Sequence, residues 1–367
     1  MKTRRLHKKS ALSAMFALST GTAFAQSSIT LYGVVDSGIE FANHQPGNGK
    51  SVVKLSSGNI VGPRWGLRGV EDLGGGLKGI FVLESGFDLD TGKSAQGGRL
   101  FGRAAYTGLQ GAWGSLLFGR QQASFYDFIG NYEPMGLATK YSLFTQDPSY
   151  VQRADNTVKY IGTLGGLKAS AFYSFGYDSN SVNGSEVPGN PKLGREFGGY
   201  VTYDAGPFSV AVAYDEINTG KVGQTPDATA RRVSTAATYE VGNTKFYAGY
   251  RWARGYHGGL IPGAIAGDDN QGSNLYWVGT RWQVTPAVYV SGAAYYQDFK
   301  NTGNDPWLIA AIADYAFSKR THIYATAAYT INKGTSNLGF YDGGKAFGNT
   351  NPGQNQFGFI VGMRTVF

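Results

Sequence analysis

The chain has no cysteine, which excludes a disulfide framework and any thiolate chemistry. Histidine, the usual general base, occurs only at His7, His44, His257 and His322. None has an evident serine or aspartate partner, and there is no Gly-x-Ser-x-Gly elbow, so an enzyme is not expected. Beyond the first residues no run reaches the roughly 18 apolar residues of a spanning helix. Charge is also scarce: Asp, Glu, Lys and Arg together make up 16% of the chain. Neither a metal nor a cofactor is expected. Asp268-Asp269-Asn270 lacks the spaced ligands and terminal acid of a calcium loop. Gly74-Gly75-Gly76-Leu77-Lys78-Gly79 fits the dinucleotide spacing literally, but Ile80 to Phe87 alternates as a strand where that motif needs a helix.

What is abundant is glycine (55), tyrosine (24) and phenylalanine (22) among 367 residues. That mixture is too polar for a helical membrane protein and too rich in Gly and Tyr for an ordinary cytosolic enzyme. A closed transmembrane β-barrel accounts for both, with polar residues facing a lumen and aromatic ones forming interfacial girdles.

The N-terminus reads as an export signal over 1–25. Lys2, Arg4, Arg5, Lys8 and Lys9 precede the short apolar stretch Ala11 to Leu18, and Ala23-Phe24-Ala25 forms a cleavage pattern before Gln26. Its removal leaves one domain, 26–367, and lowers the formal charge from +8 to +3 (8 − 5). The basic character therefore belongs largely to the signal and argues against nucleic-acid binding.

At the other end, Phe357, Phe359, Val361, Met363, Thr365 and Phe367 share one parity, and Gly358, Ile360, Gly362, Arg364 and Val366 the other. This is the period of a strand between two different environments. About sixteen such segments can be marked from Ser28 onward. Short turns such as Leu164-Gly165-Gly166, Ala205-Gly206-Pro207, Val241-Gly242-Asn243 and Thr285-Pro286 alternate with long connections such as Ala123 to Tyr150 and Lys333 to Gln354. The expected fold is a 16-stranded antiparallel barrel, wide enough to hold water. An even count also lets the first and last strands meet, which removes the open edge.

Charge near a strand's middle should face the lumen, because a lipid-facing Arg or Lys costs on the order of 2–4 kcal/mol. Arg64 and Arg68 oppose Trp65 and Leu67. Arg153, Asp155, Thr157 and Lys159 oppose Ala154, Val158 and Tyr160. Lys245, Tyr247 and Arg251 oppose Phe246, Ala248, Tyr250 and Trp252, and Arg232 and Ser234 oppose Val233 and Ala237. Arg120 breaks the rule, since strict alternation puts it with Leu116 and Phe118; a bulge or a strand end would account for it. A soluble sandwich would alternate too, but leaves the aromatic excess and the terminal Phe367 unexplained.

Several segments together resemble the general porins of β-proteobacteria: Ser28-Ile29-Thr30-Leu31-Tyr32-Gly33-Val34-Val35-Asp36, Arg64-Trp65-Gly66-Leu67-Arg68-Gly69-Val70-Glu71-Asp72-Leu73, Leu83-Glu84-Ser85-Gly86-Phe87, Leu100-Phe101-Gly102-Arg103 and Asp155-Asn156-Thr157-Val158-Lys159-Tyr160. The resemblance implies a homotrimer in the outer membrane of a Gram-negative bacterium, in contact with its lipids and lipopolysaccharide. It also implies a third loop folded into the lumen. That loop would begin near Ala123 and carry acidic constriction residues Asp127 and Glu133, the latter in Glu133-Pro134-Met135-Gly136. A basic wall would comprise Arg64, Arg68, Arg103, Arg120 and Arg153. The implied function is passive diffusion of small hydrophilic solutes and ions with a modest anion preference. The alternative is a substrate-specific channel for sugars or carboxylates.

Overall fold

The computed structural model describes residues 28–177, 186–220, 225–261, 271–342 and 345–367. The export signal expected over 1–25 and the Asp268-Asp269-Asn270 triplet lie outside these residues. The strands are β1 (Ser28–Ala42), β2 (Val52–Ser57), β3 (Arg64–Gly74), β4 (Leu77–Gly86), β5 (Ala104–Gly111), β6 (Gly114–Gln122), β7 (Arg153–Leu164), β8 (Leu167–Ser174), β9 (Glu196–Ala205) and β10 (Phe208–Asn218). They continue as β11 (Thr229–Val241), β12 (Thr244–Tyr256), β13 (Gly272–Thr285), β14 (Val288–Phe299), β15 (Trp307–Ala316) and β16 (Thr321–Ile331). A small loop hairpin of β17 (Leu338–Asp342) and β18 (Lys345–Phe347) follows, and then β19 (Gln356–Val366).

All but the loop hairpin join one 17-stranded sheet in which every pairing is antiparallel. β2 and β3 lie end to end along β1, with Ser37 to Ala42 pairing β2 and Ser28 to Val34 pairing β3. They are one barrel strand with a break, which makes the barrel sixteen-stranded. Asp36 holds the break: its carboxylate accepts the backbone N–H groups of Ile60 and Val61 at 2.7 and 2.8 Å. The barrel closes where β19 pairs β1, from Val34 opposite Val366 to Ala42 opposite Gly358. Closure leaves no edge to present unpaired backbone groups to lipid.

The turns sit where the sequence placed them. Gly165, Gly206 and Gly242 open two-residue turns with φ of 58°, 59° and 56°, a region that glycine enters without a Cβ penalty. The faces are inverted relative to a soluble protein. Leu31, Ile39, Val53, Leu55, Phe359 and Val361 are exposed on the outside, while Asp36, Glu196, Asp215, Arg251 and Gln297 are fully buried within. This excludes the soluble sandwich, whose apolar faces would be the buried ones.

Candidate functional site: a loop folded against one wall of the lumen

Residues 123–152 turn inward rather than away from the barrel. The segment contains α1 (Ser124–Ile129) and α2 (Leu143–Gln146). α2 starts at a capping box, with the Ser142 hydroxyl accepting the Phe144 N–H at 3.2 Å and the Ser142 N–H donating to Thr145 Oγ1. The loop carries its own aromatic core. Phe125, Phe128 and Tyr132 follow one another at helical spacing, with ring centroids 6.1 and 5.6 Å apart, and Tyr150 packs on Phe125 at 5.4 Å. These rings are buried in one cluster with Tyr200, Ala211, Ala236, Leu275, Trp277 and Tyr295 of β9 to β14. Small side chains on that wall leave room for the loop, and burial of its rings drives it there.

Polar anchors fix the position around the circumference. Trp277 Nε1 donates to the Tyr132 carbonyl at 2.9 Å, and Ser291 Oγ to the Pro134 carbonyl at 2.6 Å. Lys140 Nζ donates to Glu40 Oε2 at 2.6 Å and to Ser56 Oγ at 2.5 Å, while Tyr141 reaches Glu40 Oε1 at 3.1 Å. Arg251 Nε lies 3.0 Å from Asp147 Oδ2. Asp127 forms an ion pair with Lys159 of β7.

Glu133 is placed differently from the expectation of a lumen-facing acid. It is 2% exposed, receives the Tyr295 hydroxyl and, at 2.9 Å, the Leu137 N–H, and so works as a latch between loop and β14. Burial pushes its carboxyl pKa up, while the hydrogen bonds from Tyr295 and Leu137 pull it back. The physical reason is the packing of the loop tip on β13 and β14, where the Tyr295 hydroxyl and the Leu137 N–H donate to this carboxylate.

The opposite wall is basic. Glu84 of β4 gathers Arg103 Nε at 2.7 Å, Arg64 Nε at 3.7 Å and the Tyr32 hydroxyl at 3.0 Å. Arg68 lies over the Tyr32 ring, its guanidinium carbon 5.7 Å from the centroid. Arg153 Nε donates to the Arg103 carbonyl at 3.1 Å, and its guanidinium stands over Tyr126 of the loop. Asp155 collects Arg120 Nη1 at 2.5 Å and Arg99 Nη2 at 3.1 Å. Of the five expected arginines, Arg64, Arg103 and Arg120 pair with these two carboxylates, while Arg68 and Arg153 rest on tyrosine rings beside them.

Arg120 obeys neither strict parity nor a smooth ladder. Gly119 pairs with Thr157 but Gln121 pairs with Ala154, and the slip is taken up by Gly119 at φ 122° and Asn156 at φ 51°. Arg120 sits at this bulge near the end of β6, where its Nε also donates to the Gly102 carbonyl at 2.8 Å. Sequence reasoning missed Arg99, Lys140 and Asp147, which lie in loops without period, and Glu84, which was quoted in a motif but not assigned to the site.

Known proteins share this arrangement of chain. A family model described as Gram-negative porin matches residues 11–335. An outer membrane porin protein of Bordetella pertussis is 34% identical over 367 residues, spanning 89% of this chain and 94% of that protein. One of Delftia acidovorans is 30% identical over 377 residues, spanning 98% of this chain and 100% of that protein. Among solved structures, an anion-selective porin from Comamonas acidovorans is similar with a TM-score of 0.79 at 26% identity, covering 93% of this chain and all of that one (100%). With its closed barrel and inward loop, the chain belongs to the Gram-negative porin family and is a protein of the outer membrane.

Proposed function

We propose that the barrel is a general diffusion channel for small hydrophilic solutes and ions, favours anions, and works as a homotrimer after its export signal is removed. No catalytic step is assigned to it. The selectivity filter in this reading is the wall of Arg64, Arg68, Arg103, Arg120 and Arg153.

The observation that carries the proposal is an unbalanced charge. Six arginines, counting Arg99, stand on this wall beside two carboxylates: Arg64 and Arg103 pair with Glu84, Arg99 and Arg120 pair with Asp155, and Arg68 and Arg153 lie over the Tyr32 and Tyr126 rings, a local excess of four positive charges (6 − 2). The inward loop offers little to cancel it. Glu133 is buried against β14, Asp147 is paired with Arg251, and Asp127 is paired with Lys159. In a narrow, partly desolvated lumen these charges act more strongly than in bulk water, so they lower the entry cost of anions and raise that of cations. The likeness to an anion-selective porin supports the same sign. The reversal potential of the purified protein in a planar bilayer under a potassium chloride gradient tests this. A chloride-directed potential is expected; a potassium-directed one rejects the filter.

A further inference from the structure

A second group of cations lines the lumen away from the arginine wall. Arg281 of β13 shares the inward parity of Leu275 and Trp277, both buried. Its guanidinium carbon lies 4.5 Å from the Tyr289 ring centroid, and among the described residues its buried Nε meets no acceptor. Arg364 of β19 has Nη2 3.3 Å from His322 Nδ1 and 3.7 Å from Asp314 Oδ2, and its Nε is likewise buried without an acceptor. Asp314 is already engaged by His322 at 2.6 Å and is nearly closed to solvent.

These groups face one space. Asp314 is the cross-strand partner of Tyr289, and His322 that of Arg364. Arg281 packs on the Tyr289 ring, and Arg364 reaches Asp314, the residue opposite Tyr289. The loop ends just above them: a Cβ at Gly136 would lie 2.5 Å from Arg281 Nη2, and one at Gly279 would lie 2.5 Å from Pro134 Cγ. The short turns at Pro286 and Lys319 and the chain end at Phe367 lie below. The cluster therefore sits between the loop and the short-turn end of the barrel, the end that faces the periplasm in such barrels.

We propose that Arg281 and Arg364, with the Tyr289 ring against the first, form a second oxyanion-binding station on the periplasmic side of the inward loop. Its ligands are the carboxylate, phosphate or sulfate groups of solutes in transit. Guanidinium groups suit this task, because their planar forks match the two-oxygen edge of an oxyanion. Two weak sites in series also favour throughput, since a solute can leave the first for the second without returning to bulk solvation. The proposal rests on the channel reading but not on the sign of its selectivity.

Inorganic phosphate is the probe. Titrated against a fixed chloride current through the porin in a planar bilayer, it should reduce the current saturably in the wild type. Arg281→Gln and Arg364→Gln should each raise the half-inhibiting concentration at least roughly fivefold, with the lysine replacements intermediate. Open-channel conductance in the same traces reports that each variant is folded. Arg68→Gln should move the reversal potential and raise the half-inhibiting phosphate concentration less than either station variant does. Inhibition that is the same in Arg281→Gln and Arg364→Gln as in the wild type, or that is lost only in Arg68→Gln, overturns the station. A potassium-directed reversal potential with the Arg281→Gln effect intact removes the arginine filter and leaves the station standing.

Discussion

Arg251 of β12 and Asp147 of the inward loop form an ion pair at 3.0 Å in which neither side chain is exposed at all (0%/0%). It closes the far end of the loop, where Tyr150 also bonds Ser234 at 2.8 Å. A buried pair owes little net stability to its attraction, yet removing one partner strands the other charge at about 3–5 kcal/mol. Arg251→Met is therefore expected to release the end of the loop, with noisier and larger single-channel currents. The double change Arg251→Met with Asp147→Leu should restore much of the quiet trace. Equal noise in single and double variants would show that the pair does not hold the loop.

Glu133 gives a pH dependence of definite sign. Its carboxyl is held above the ordinary range by burial, so the folded loop keeps this proton to higher pH than the unfolded chain does. The latch then contributes most below the usual carboxylate pKa and loses strength as pH rises through the elevated one. Glu133→Gln, which keeps an acceptor for Tyr295, should flatten the fall of thermal stability across that window and leave ion selectivity unchanged. Glu133→Ala orphans the Tyr295 hydroxyl and should cost about 1–3 kcal/mol at acidic pH, with the difference from the wild type shrinking as pH rises. A selectivity change in Glu133→Gln as large as that of an arginine-wall variant would contradict the buried placement.

Most of the barrel was legible because a membrane strand writes its two environments at every second residue. Gln356 and Ile360 fall inside, and Phe357, Phe359 and Val361 outside, as the alternation of β19 requires. Turn glycines were legible for a similarly local reason. The loop was not, because its position is fixed by partners far along the chain: Glu133 meets Tyr295 across 162 residues, and Lys140 meets Glu40 across 100. No periodicity reports such a contact. The break at residues 58–63 is equally silent, since it depends on β1 for its register, whereas the bulge at Arg120 showed in the sequence as a break in parity. The arginine wall was identifiable from the resemblance, but its counter-charges Glu84 and Asp155 emerge only when the strands are laid side by side.

Gly279 offers a steric test of how the loop narrows the lumen. A Cβ there would lie 2.5 Å from Pro134 Cγ and 2.7 Å from the Gly292 carbonyl oxygen. Overpacking of this kind costs about 1–3 kcal/mol, and the loop tip is the part able to move. Gly279→Ala should therefore raise single-channel conductance and weaken selectivity together. Gly292→Ala is the control, because a Cβ at Gly292 meets nothing nearer than the Ala310 carbonyl at 3.9 Å. Conductance unchanged in Gly279→Ala would mean that the tip does not limit the current.

Arg68 is the wall residue best suited to separate field from fold. It is exposed and, among the described residues, rests against the Tyr32 ring, whereas Arg103 is buried and bonded to Glu84 at 2.7 Å. Arg103→Met would leave Glu84 short of its closest cation and should lower thermal stability as well as selectivity. Arg68→Glu should change selectivity alone. Its effect must also depend on salt, because the screening length is about 10 Å at 0.1 M and about 3 Å at 1 M. The reversal potential of Arg68→Glu should therefore shift clearly toward cations in dilute potassium chloride and approach that of the wild type near molar salt. A shift of the same size at both concentrations would mean that Arg68 acts by contact with the passing ion rather than through its field.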